Sequence, residues 1–175
     1  SPINKKRNMG MYRVQKFNDK TLGMHWHPHK GGAAHYHESL SLGSSLPVSI
    51  VLGGDPALIF SSIAPLPENI DEVLFSAFLK NRKINLVKSK FSEIMVPANA
   101  EFIIEGKVPL NKTMLEGPFG DHFGYYSMES QFPYLEIETI TRKNNPIFPA
   151  TVVGRPPKED MYLGMAATDI FGPLT

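Results

Sequence analysis

The sequence predicts an α+β domain in which two or three helices precede a group of strands. Residues 70–78 carry apolar side chains at positions i, i+3, i+4, i+7 and i+8, which is the pattern of one helix face. After residue 81 the pattern changes to short apolar or alternating segments bounded by turn residues, as in strands. The predicted strands are residues 84–87, 94–96, 101–108, 134–141 and 147–153. Strands grouped after helices favour a barrel or a strongly bent sheet.

The start of the chain predicts a hairpin, a helix and a buried strand. Residues 8–15 and 21–29 alternate loosely around the turn residues Asn18-Asp19-Lys20, which predicts two paired strands. Two glycines open a predicted helix over residues 31–43, and the short β-branched run at residues 48–52 predicts a buried strand.

Two further helices have recognisable start signals. Asp55 and Pro56 fit the N-cap and the first helical position of a helix that prolines at 65 and 67 bring to an end. The next helix begins near Asn69 and ends near Asn81. The spacing Asn69-x-x-Glu72 resembles a capping box, so Glu72 either caps its own helix or is a carboxylate ligand held by a rigid helix.

Composition excludes several classes of protein. The chain has 175 residues with 18 basic and 17 acidic side chains, and this net charge of +1 gives no electrostatic case for binding nucleic acid. The absence of cysteine removes disulfides and thiolate chemistry and fits a reducing, cytoplasmic location. The terminal sequences are those expected of a piece of a longer polypeptide, here one domain spanning residues 1–175.

The segment from Glu116 to Tyr126 combines three glycines and a proline with two carboxylates, a histidine and four aromatic rings. Such a segment predicts a shaped loop that directs Glu116 and Asp121, five positions apart. The two acids fit either an acid/base pair or a solvated turn. Arg13 can pair with either acid, holding one ionised and leaving the other able to carry a proton, or can form an ordinary surface ion pair.

Two other groups can bind cations. On a strand, His25, His27 and His29 share one face and suit a divalent metal, although Pro28 interrupts the strand and one ligand is favoured over three. The alternative is solvated histidines. Ser61-Ser62 can bind a cation or a phosphate, or can be a polar helix end.

Five motifs, taken in order, resemble the UbiD family of decarboxylases, which includes the 3-polyprenyl-4-hydroxybenzoate carboxy-lyase of ubiquinone biosynthesis. The motifs are Asn8-Met9-Gly10-Met11-Tyr12-Arg13, His29-Lys30-Gly31-Gly32-Ala33, Ser61-Ser62 with Glu72, the segment from Glu116 to Tyr126, and Gly154-Arg155-Pro156-Pro157. The resemblance covers nearly all 175 residues.

The resemblance implies a fold, a cofactor and partners. It implies the central FMN-binding split β-barrel domain, with flanking helices, of a longer chain. The implied cofactors are prenylated FMN, a divalent cation such as Mn²⁺, and K⁺ or Na⁺. The implied partners are an aromatic or α,β-unsaturated acid as substrate, a flavin prenyltransferase as cofactor supplier, and further copies of the full-length chain. A polyprenylated substrate would add peripheral membrane association.

The resemblance also implies roles for individual residues. Those matched to the divalent metal are Asn8, His29 and Glu72, and those matched to the monovalent cation are Met9, Phe60, Ser61 and Ile63. Further implied cofactor contacts are Met11, Arg13 and Ser62. Arg13, Glu116 and Asp121 match an acid–arginine–acid network, with aspartate where some members have glutamate. No family role matches His25 or His27.

The implied reaction is a reversible, non-oxidative decarboxylation in which Glu116 or Asp121 protonates the product. A 4-hydroxybenzoate-type acid of quinone biosynthesis is the expected substrate. Three alternatives stay open: a family member acting on another acid, such as a naphthoate in menaquinone biosynthesis, a non-catalytic flavin- or metal-binding module, and a three-histidine metal enzyme without flavin. The isolated 175-residue chain is expected to fold without turning over.

Overall fold

The structure, a computed structural model, describes residues 1–67 and 70–174, without the side chain of residue 174. Its helices are α1 (Gly31–Leu42), α2 (Pro56–Ser61), α3 (Glu72–Lys80) and α4 (Glu159–Phe171), and a short 3₁₀ turn follows at Gly172–Leu174. The strands are β1 (Val14–Lys16), β2 (Thr21–Met24), β3 (Leu46–Leu52), β4 (Leu86–Lys88), β5 (Met95–Pro97), β6 (Phe102–Val108), β7 (Thr113–Glu116), β8 (Phe119–Gly120), β9 (Tyr126–Ser127) and β10 (Ser130–Arg142).

An antiparallel sheet in the order β1-β2-β10-β6-β3 forms the centre of the molecule. The long strand β10 pairs with β7 through residues 130–133 and then with β2 and β6. A Cβ on Gly106 of β6 would stand 2.0 Å from the carbonyl oxygen of Glu136 on β10, so the two backbones leave no room for a side chain there. The pairs β4-β5 and β8-β9 form two separate small sheets.

The mixed α+β fold predicted from the sequence is confirmed. Within the described residues, strand pairing does not close into a ring, since β1 and β3 are the two edges of the main sheet. No helix in this part of the chain has both the length and the apolar character needed to cross a membrane.

The main core lies between α1 and the sheet. Its buried members are Leu22, Met24, Trp26, Ala33, Tyr36, Leu46, Val108 and Leu135. Tyr36 extends from α1 across the ring of Trp26, with ring centroids 5.9 Å apart, and its hydroxyl donates to the carbonyl of Pro109. Helix α1 is thereby fixed, and its first residues are held at one edge of the site described below.

The predicted start of α2 and the predicted end of α3 are confirmed, whereas α3 starts later than predicted. The Asp55 side chain accepts a hydrogen bond from Ala57 N, with Pro56 as the first helical residue, and α3 ends at the left-handed Asn81, both as predicted. The N-cap of α3 is Asp71, so Glu72 is the first residue of the helix rather than its third, which is the position a capping box from Asn69 requires. The predicted partner Asn69 lies outside the described residues.

The apolar face predicted for α3 is real but mostly uncovered. Val73 is buried, whereas Leu74 and Phe78 are 65% and 76% exposed. The periodicity therefore identified the helix correctly, but it does not mark a core face within this chain.

Several predicted strand boundaries were wrong. The first strand begins at Val14, so Asn8 and Arg13 precede it, and β2 ends at Met24, so the histidines that follow lie on irregular backbone. Residues 147–153 form no strand, and β7 and helix α4 were not predicted. Residues 8–12 belong to no strand or helix, and they line one side of the site instead.

Candidate active site

An open cavity of about 880 Å³ lies between the amino-terminal segment, the start of α1 and the start of α3. The predicted ligands Asn8, His29 and Glu72 all line it, and so do Met9, Met11 and Ser62. Three segments that are distant in sequence therefore line the same cavity. The resemblance implied that these residues lie close together, and the fold shows the cavity that they share. Its rim includes Lys5, Lys6 and Arg7, which give it a cationic side.

Asn8 is held in place by its neighbours. Its Nδ2 donates to the hydroxyl of Tyr12 at 3.1 Å, and that hydroxyl also accepts from Gly32 N at 3.0 Å. A Cβ on Gly31 would stand 2.0 Å from Asn8 Oδ1, so any larger residue at position 31 would displace the Asn8 amide. The glycine pair that opens α1 thus serves Asn8 as well as the helix.

Glu72 is directed into the cavity by the start of α3. Its Oε2 accepts a hydrogen bond from Met9 N at 3.3 Å, which ties the helix to the amino-terminal segment. Burial raises the pKa of Glu72 above its usual range. Because burial disfavours the ionised form of this carboxylate, a cation bound beside it would stabilise that form strongly.

Asp71 next to it has a structural role. It caps α3 through Val73 N and Leu74 N, and it forms a two-point ion pair with Arg7 at 2.6 and 2.7 Å. Burial alone would raise the pKa of Asp71, but Arg7 and the two backbone donors outweigh it and the pKa is lowered. Glu72 is therefore the acid here that remains for a ligand.

The donor set fits a hard divalent cation bound together with a phosphate. An amide oxygen, an imidazole nitrogen and a carboxylate are ligand types that manganese or magnesium accepts, with anionic oxygens completing the shell. Among the described residues, no three histidine, aspartate or glutamate side chains form a metal-binding group. The ligand set that the resemblance implies contains only two side chains of these types, His29 and Glu72, with the Asn8 amide as its third member.

The alternative of a three-histidine metal site gains no support from the geometry of the described residues. His25 Nε2 lies 3.2 Å from His27 Nε2, so these two rings contact each other, and the rings of His27 and His29 stack 5.8 Å apart. Irregular backbone after Met24 removes the shared strand face on which that alternative depended.

The predicted monovalent-cation residues divide into two groups. Met9 lines the cavity with Glu72, whereas Phe60, Ser61 and Ile63 are not among its lining residues. Ser61 is fully buried and its hydroxyl donates to Ala57 O at 2.7 Å within α2. The carbonyl of Ser62 accepts from Met11 N at 3.3 Å, which joins this end of α2 to the amino-terminal segment.

The acid–arginine part of the predicted network is present. Glu116, at the end of β7, is 1% exposed and accepts from Arg13 Nε at 3.2 Å and from its terminal nitrogen at 2.7 Å. The guanidinium also lies 4.4 Å from the centroid of the Phe119 ring. Gly117 N donates to the side chain of Gln15, so the loop is anchored to β1.

Sequence reasoning missed the third member of this group, His25. Its Nδ1 lies 2.7 Å from Glu116 Oε2 and 2.8 Å from a terminal nitrogen of Arg13. Burial alone would raise the pKa of Glu116, but Arg13 and His25 outweigh it and lower the pKa. The available signal was the position of His25 directly after β2, twelve residues from Arg13, which directly precedes the paired strand β1.

Asp121, the second acid of the predicted network, lies on the loop that follows Glu116, where Arg13 contributes to lowering its pKa. It is hydrogen-bonded to its neighbour His122 through the backbone at 2.7 Å and the ring at 2.6 Å, and its side chain is 37% exposed. The backbone N–H of His122 is the main cause of its lowered pKa, with Arg13 a weaker influence. The pKa values of both acids are thus lowered in this chain, and the expectation that one acid carries a proton near neutral pH stays a prediction.

These features match a known family over most of the chain. Residues 1–156 match the family model described as UbiD, 3-octaprenyl-4-hydroxybenzoate carboxy-lyase Rift-related domain. The chain belongs to the UbiD family.

Relatives come from bacteria and archaea. An uncharacterised protein of Chlamydia muridarum is 47% identical over 99% of this chain and 30% of its own length. A protein of Chlamydia pneumoniae named as a 4-hydroxybenzoate decarboxylase subunit is 45% identical over 99% of this chain and 30% of its length. The chain thus spans about a third of the curated relatives that it matches.

Solved structures share the fold. The UbiD-class enzyme HmfF from Pelotomaculum thermopropionicum in complex with FMN has a TM-score of 0.87 and 27% identity, covering 95% of this chain and 37% of that one. An evolved dimeric form of HmfF in complex with prFMN has the same TM-score and identity, covering 95% and 38%. The vanillic acid decarboxylase of Sedimentibacter hydroxybenzoicus has a TM-score of 0.80 and 29% identity, covering 88% and 33%.

Proposed function

We propose that this chain is the central domain of a prenylated-FMN-dependent decarboxylase that removes CO2 from an aromatic or α,β-unsaturated acid. The observation that carries the proposal is the buried, two-point pair of Arg13 and Glu116, in the same chain as the cavity with the predicted metal ligands. Family membership and the flavin complexes of HmfF support it. A flavin-binding split barrel, completed by the rest of the polypeptide, is part of the proposal.

The cavity residues would hold the cofactor by its phosphate. Asn8, His29 and Glu72 would bind a divalent cation, expected to be Mn²⁺, that also binds phosphate oxygens, and the cationic rim would attract the same phosphate. The carbonyls near Phe60, Ser61 and Ile63, with Met9, would bind K⁺ or Na⁺. When bound, the prenylated flavin would supply the electron sink that decarboxylation requires.

The chain's own residues would orient the acid and manage one proton. Arg13 presents a planar fork that suits a carboxylate, and its exposed fraction of 22% leaves part of the guanidinium open to a substrate. Glu116 fixes that fork and lies beside it as the buried acid–base group. Asp121, on a loop near the same arginine, would be the second acid. Closure by parts of the protein outside this chain would exclude water.

Finer features are proposals that rest on the names of relatives. A 4-hydroxybenzoate-type acid of quinone biosynthesis is the first substrate to test, because the Chlamydia pneumoniae relative is named for 4-hydroxybenzoate decarboxylase. The proposal includes a flavin prenyltransferase as cofactor supplier, a cytoplasmic homo-oligomer, and peripheral membrane association if the substrate is polyprenylated. A naphthoate is the next acid to test.

The test uses the full-length protein co-expressed with a flavin prenyltransferase. Mass spectrometry of the bound cofactor and CO2 release from 4-hydroxybenzoate, vanillate and a naphthoate are measured in parallel. We expect prenylated FMN and release of CO2 from at least one acid, and we expect Arg13→Met to abolish release. Bound cofactor without release from any acid would favour a non-catalytic flavin module, and protein that binds no flavin would contradict the proposal.

A further inference from the structure

Tyr12 lies in the wall of the cavity, beside the predicted metal ligand Asn8. Its hydroxyl oxygen accepts a hydrogen bond from Asn8 Nδ2 at 3.1 Å and another from Gly32 N at 3.0 Å. A backbone N–H can only donate, so the bond from Gly32 requires the Tyr12 oxygen to be an acceptor. The hydroxyl therefore connects the amino-terminal segment to the first turn of α1.

The ring of Tyr12 is fixed by packing, so its hydroxyl has a defined position. The ring meets Trp26 edge to face, with centroids 6.4 Å apart and ring planes at 74°. A Cβ on Gly10 would stand 2.6 Å from Tyr12 Cε2, and a Cβ on Gly32 would stand 2.9 Å from Trp26 Nε1. A larger residue at either glycine would thus have to displace one of the two rings.

The two ends of the Asn8 amide have opposite chemistry. Oδ1 is an acceptor that can bind a cation, whereas Nδ2 carries two donor hydrogens and cannot. In the structure Nδ2 faces Tyr12, and Oδ1 lies against Gly31, which also lines the cavity. If the amide were rotated, Oδ1 would accept from the Tyr12 hydroxyl and Nδ2 would replace it beside Gly31. The orientation of this amide therefore decides whether Asn8 offers a ligand to a cation.

We propose that Tyr12 positions Asn8 by holding its amide in the orientation that presents Oδ1 to a divalent cation. The inference rests on the metal site of the proposed function. The Tyr12 oxygen accepts from the Nδ2 end of the amide, and Gly32 N occupies the same oxygen as a second donor. The phenol proton is then left for the cavity side, where water or a phosphate oxygen can accept it. Tyr12 acts through Asn8, so it is a positioning residue.

The first test is calorimetry of Mn²⁺ binding to the full-length protein with saturating FMN, for the parent, Tyr12→Phe and Tyr36→Phe. Tyr36 is the matched control because its hydroxyl also has two partners, the carbonyl of Pro109 and Asn111 N. Its ring packs on the same Trp26, with centroids 5.9 Å apart, but Tyr36 is not among the residues that line the cavity.

Loss of the Tyr12 hydroxyl removes the acceptor of Asn8 Nδ2, so the amide can turn either end to the cation. We expect Tyr12→Phe to weaken Mn²⁺ binding about 10- to 100-fold, the range found when groups that orient metal ligands are removed. Tyr36→Phe should lower the free energy of unfolding but keep the parental affinity for Mn²⁺. Parental affinity in Tyr12→Phe, or an equal loss in both variants, would overturn the proposal.

The second test separates the orientation of the amide from the folding of the site. A carboxylate has an oxygen at both ends, so Asn8→Asp presents an acceptor to the cation in either orientation. Tyr12→Phe should therefore weaken Mn²⁺ binding much less in the Asn8→Asp background than in the parent, and the ratio of the two losses measures the coupling between these positions. Equal losses in both backgrounds would contradict the proposal, because Tyr12 would then support the fold of the site and not the amide.

A third measurement does not require the protein to bind a metal. Neutron diffraction from deuterated, metal-free crystals of the full-length protein locates the deuterium atoms of Asn8 and Tyr12. We expect Asn8 Nδ2 to donate a deuterium to the Tyr12 oxygen, and a Tyr12 hydroxyl that instead donates to Asn8 Oδ1 would contradict the proposal. If the parent bound no Mn²⁺, the metal site of the proposed function would fail, whereas the deuterium positions would still decide whether Tyr12 orients Asn8.

Discussion

Replacing Arg13 by methionine should destabilise the protein by leaving a buried carboxylate with one partner fewer. Glu116 is 1% exposed, and Arg13 supplies two of its three side-chain hydrogen bonds. Breaking a buried ion pair by removing one partner costs about 3–5 kcal/mol. Arg13 is 22% exposed and His25 stays in place, so we expect the lower end, about 3 kcal/mol.

Part of the unfolding free energy lost in Arg13→Met should be recovered when the Glu116 carboxylate is also replaced. Glu116→Gln keeps a hydrogen-bonding side chain of the same shape and leaves a partly solvated guanidinium, so we expect a loss of about 1–2 kcal/mol. The double variant should resemble Glu116→Gln, so the coupling free energy equals the loss in Arg13→Met, about 3 kcal/mol. Urea unfolding followed by fluorescence is suitable because Trp26 is the single tryptophan and is buried in the core.

The pH dependence has a defined sign. The folded-state pKa of Glu116 is lowered, so its contribution is present above the unfolded pKa of about 4.3 and is lost as pH falls through the folded value. The difference in stability between the parent and Arg13→Met should therefore shrink between pH 7 and pH 3. Lys16→Met, which removes a solvent-exposed ion pair with Asp19, is the control and should change little. A loss below about 0.5 kcal/mol for Arg13→Met, or a difference that does not vary with pH, would refute this reasoning.

Four other outcomes are expected. Glu72→Gln should weaken binding of Mn²⁺ at least tenfold. It should also stabilise the metal-free protein at pH 7, because the raised pKa of Glu72 in the parent makes ionisation of that carboxyl costly above this pKa. Calorimetry with and without metal measures both effects. Gly31→Ala should also weaken Mn²⁺ binding, by displacing Asn8, whereas Gly164→Ala, where a Cβ meets open space, should not. Asp121→Asn should retain flavin and metal but lose roughly 10²–10⁴ in turnover if it is the second acid, with parental turnover excluding that role. The isolated 175-residue chain should unfold cooperatively in urea but release no CO2 at a rate comparable to the full-length enzyme.

Local chemistry made some elements predictable from the sequence. Asp55-Pro56 fixed the start of α2, and the apolar periodicity of residues 70–78 identified α3, because caps and periodicity act within one turn. The strand β6 was predicted within one residue. The exposed face of α3 could not be foreseen, since the sequence pattern does not say which surface covers it.

The candidate site depended on long-range contacts that no local pattern encodes. The sequence motifs identified Arg13 and Glu116 as candidates. Only the fold shows that these two side chains, 103 positions apart in sequence, are in contact and that His25 lies beside them. Conversely, Asp121 was placed by analogy, and its contacts with His122 come from a turn whose geometry the sequence left open. Asn8 was assigned to a strand because its segment alternates, although that segment pairs with no strand and lines the cavity instead.

The most direct test of the account is to locate the metal in crystals of the full-length protein with prenylated FMN and Mn²⁺, by anomalous scattering at the manganese edge. We expect one strong peak within bonding distance of Asn8 Oδ1, the His29 imidazole and the Glu72 carboxylate, with the flavin phosphate on its open side. A manganese peak away from these three side chains, or bound flavin whose phosphate lies outside this cavity, would contradict the assignment of the site.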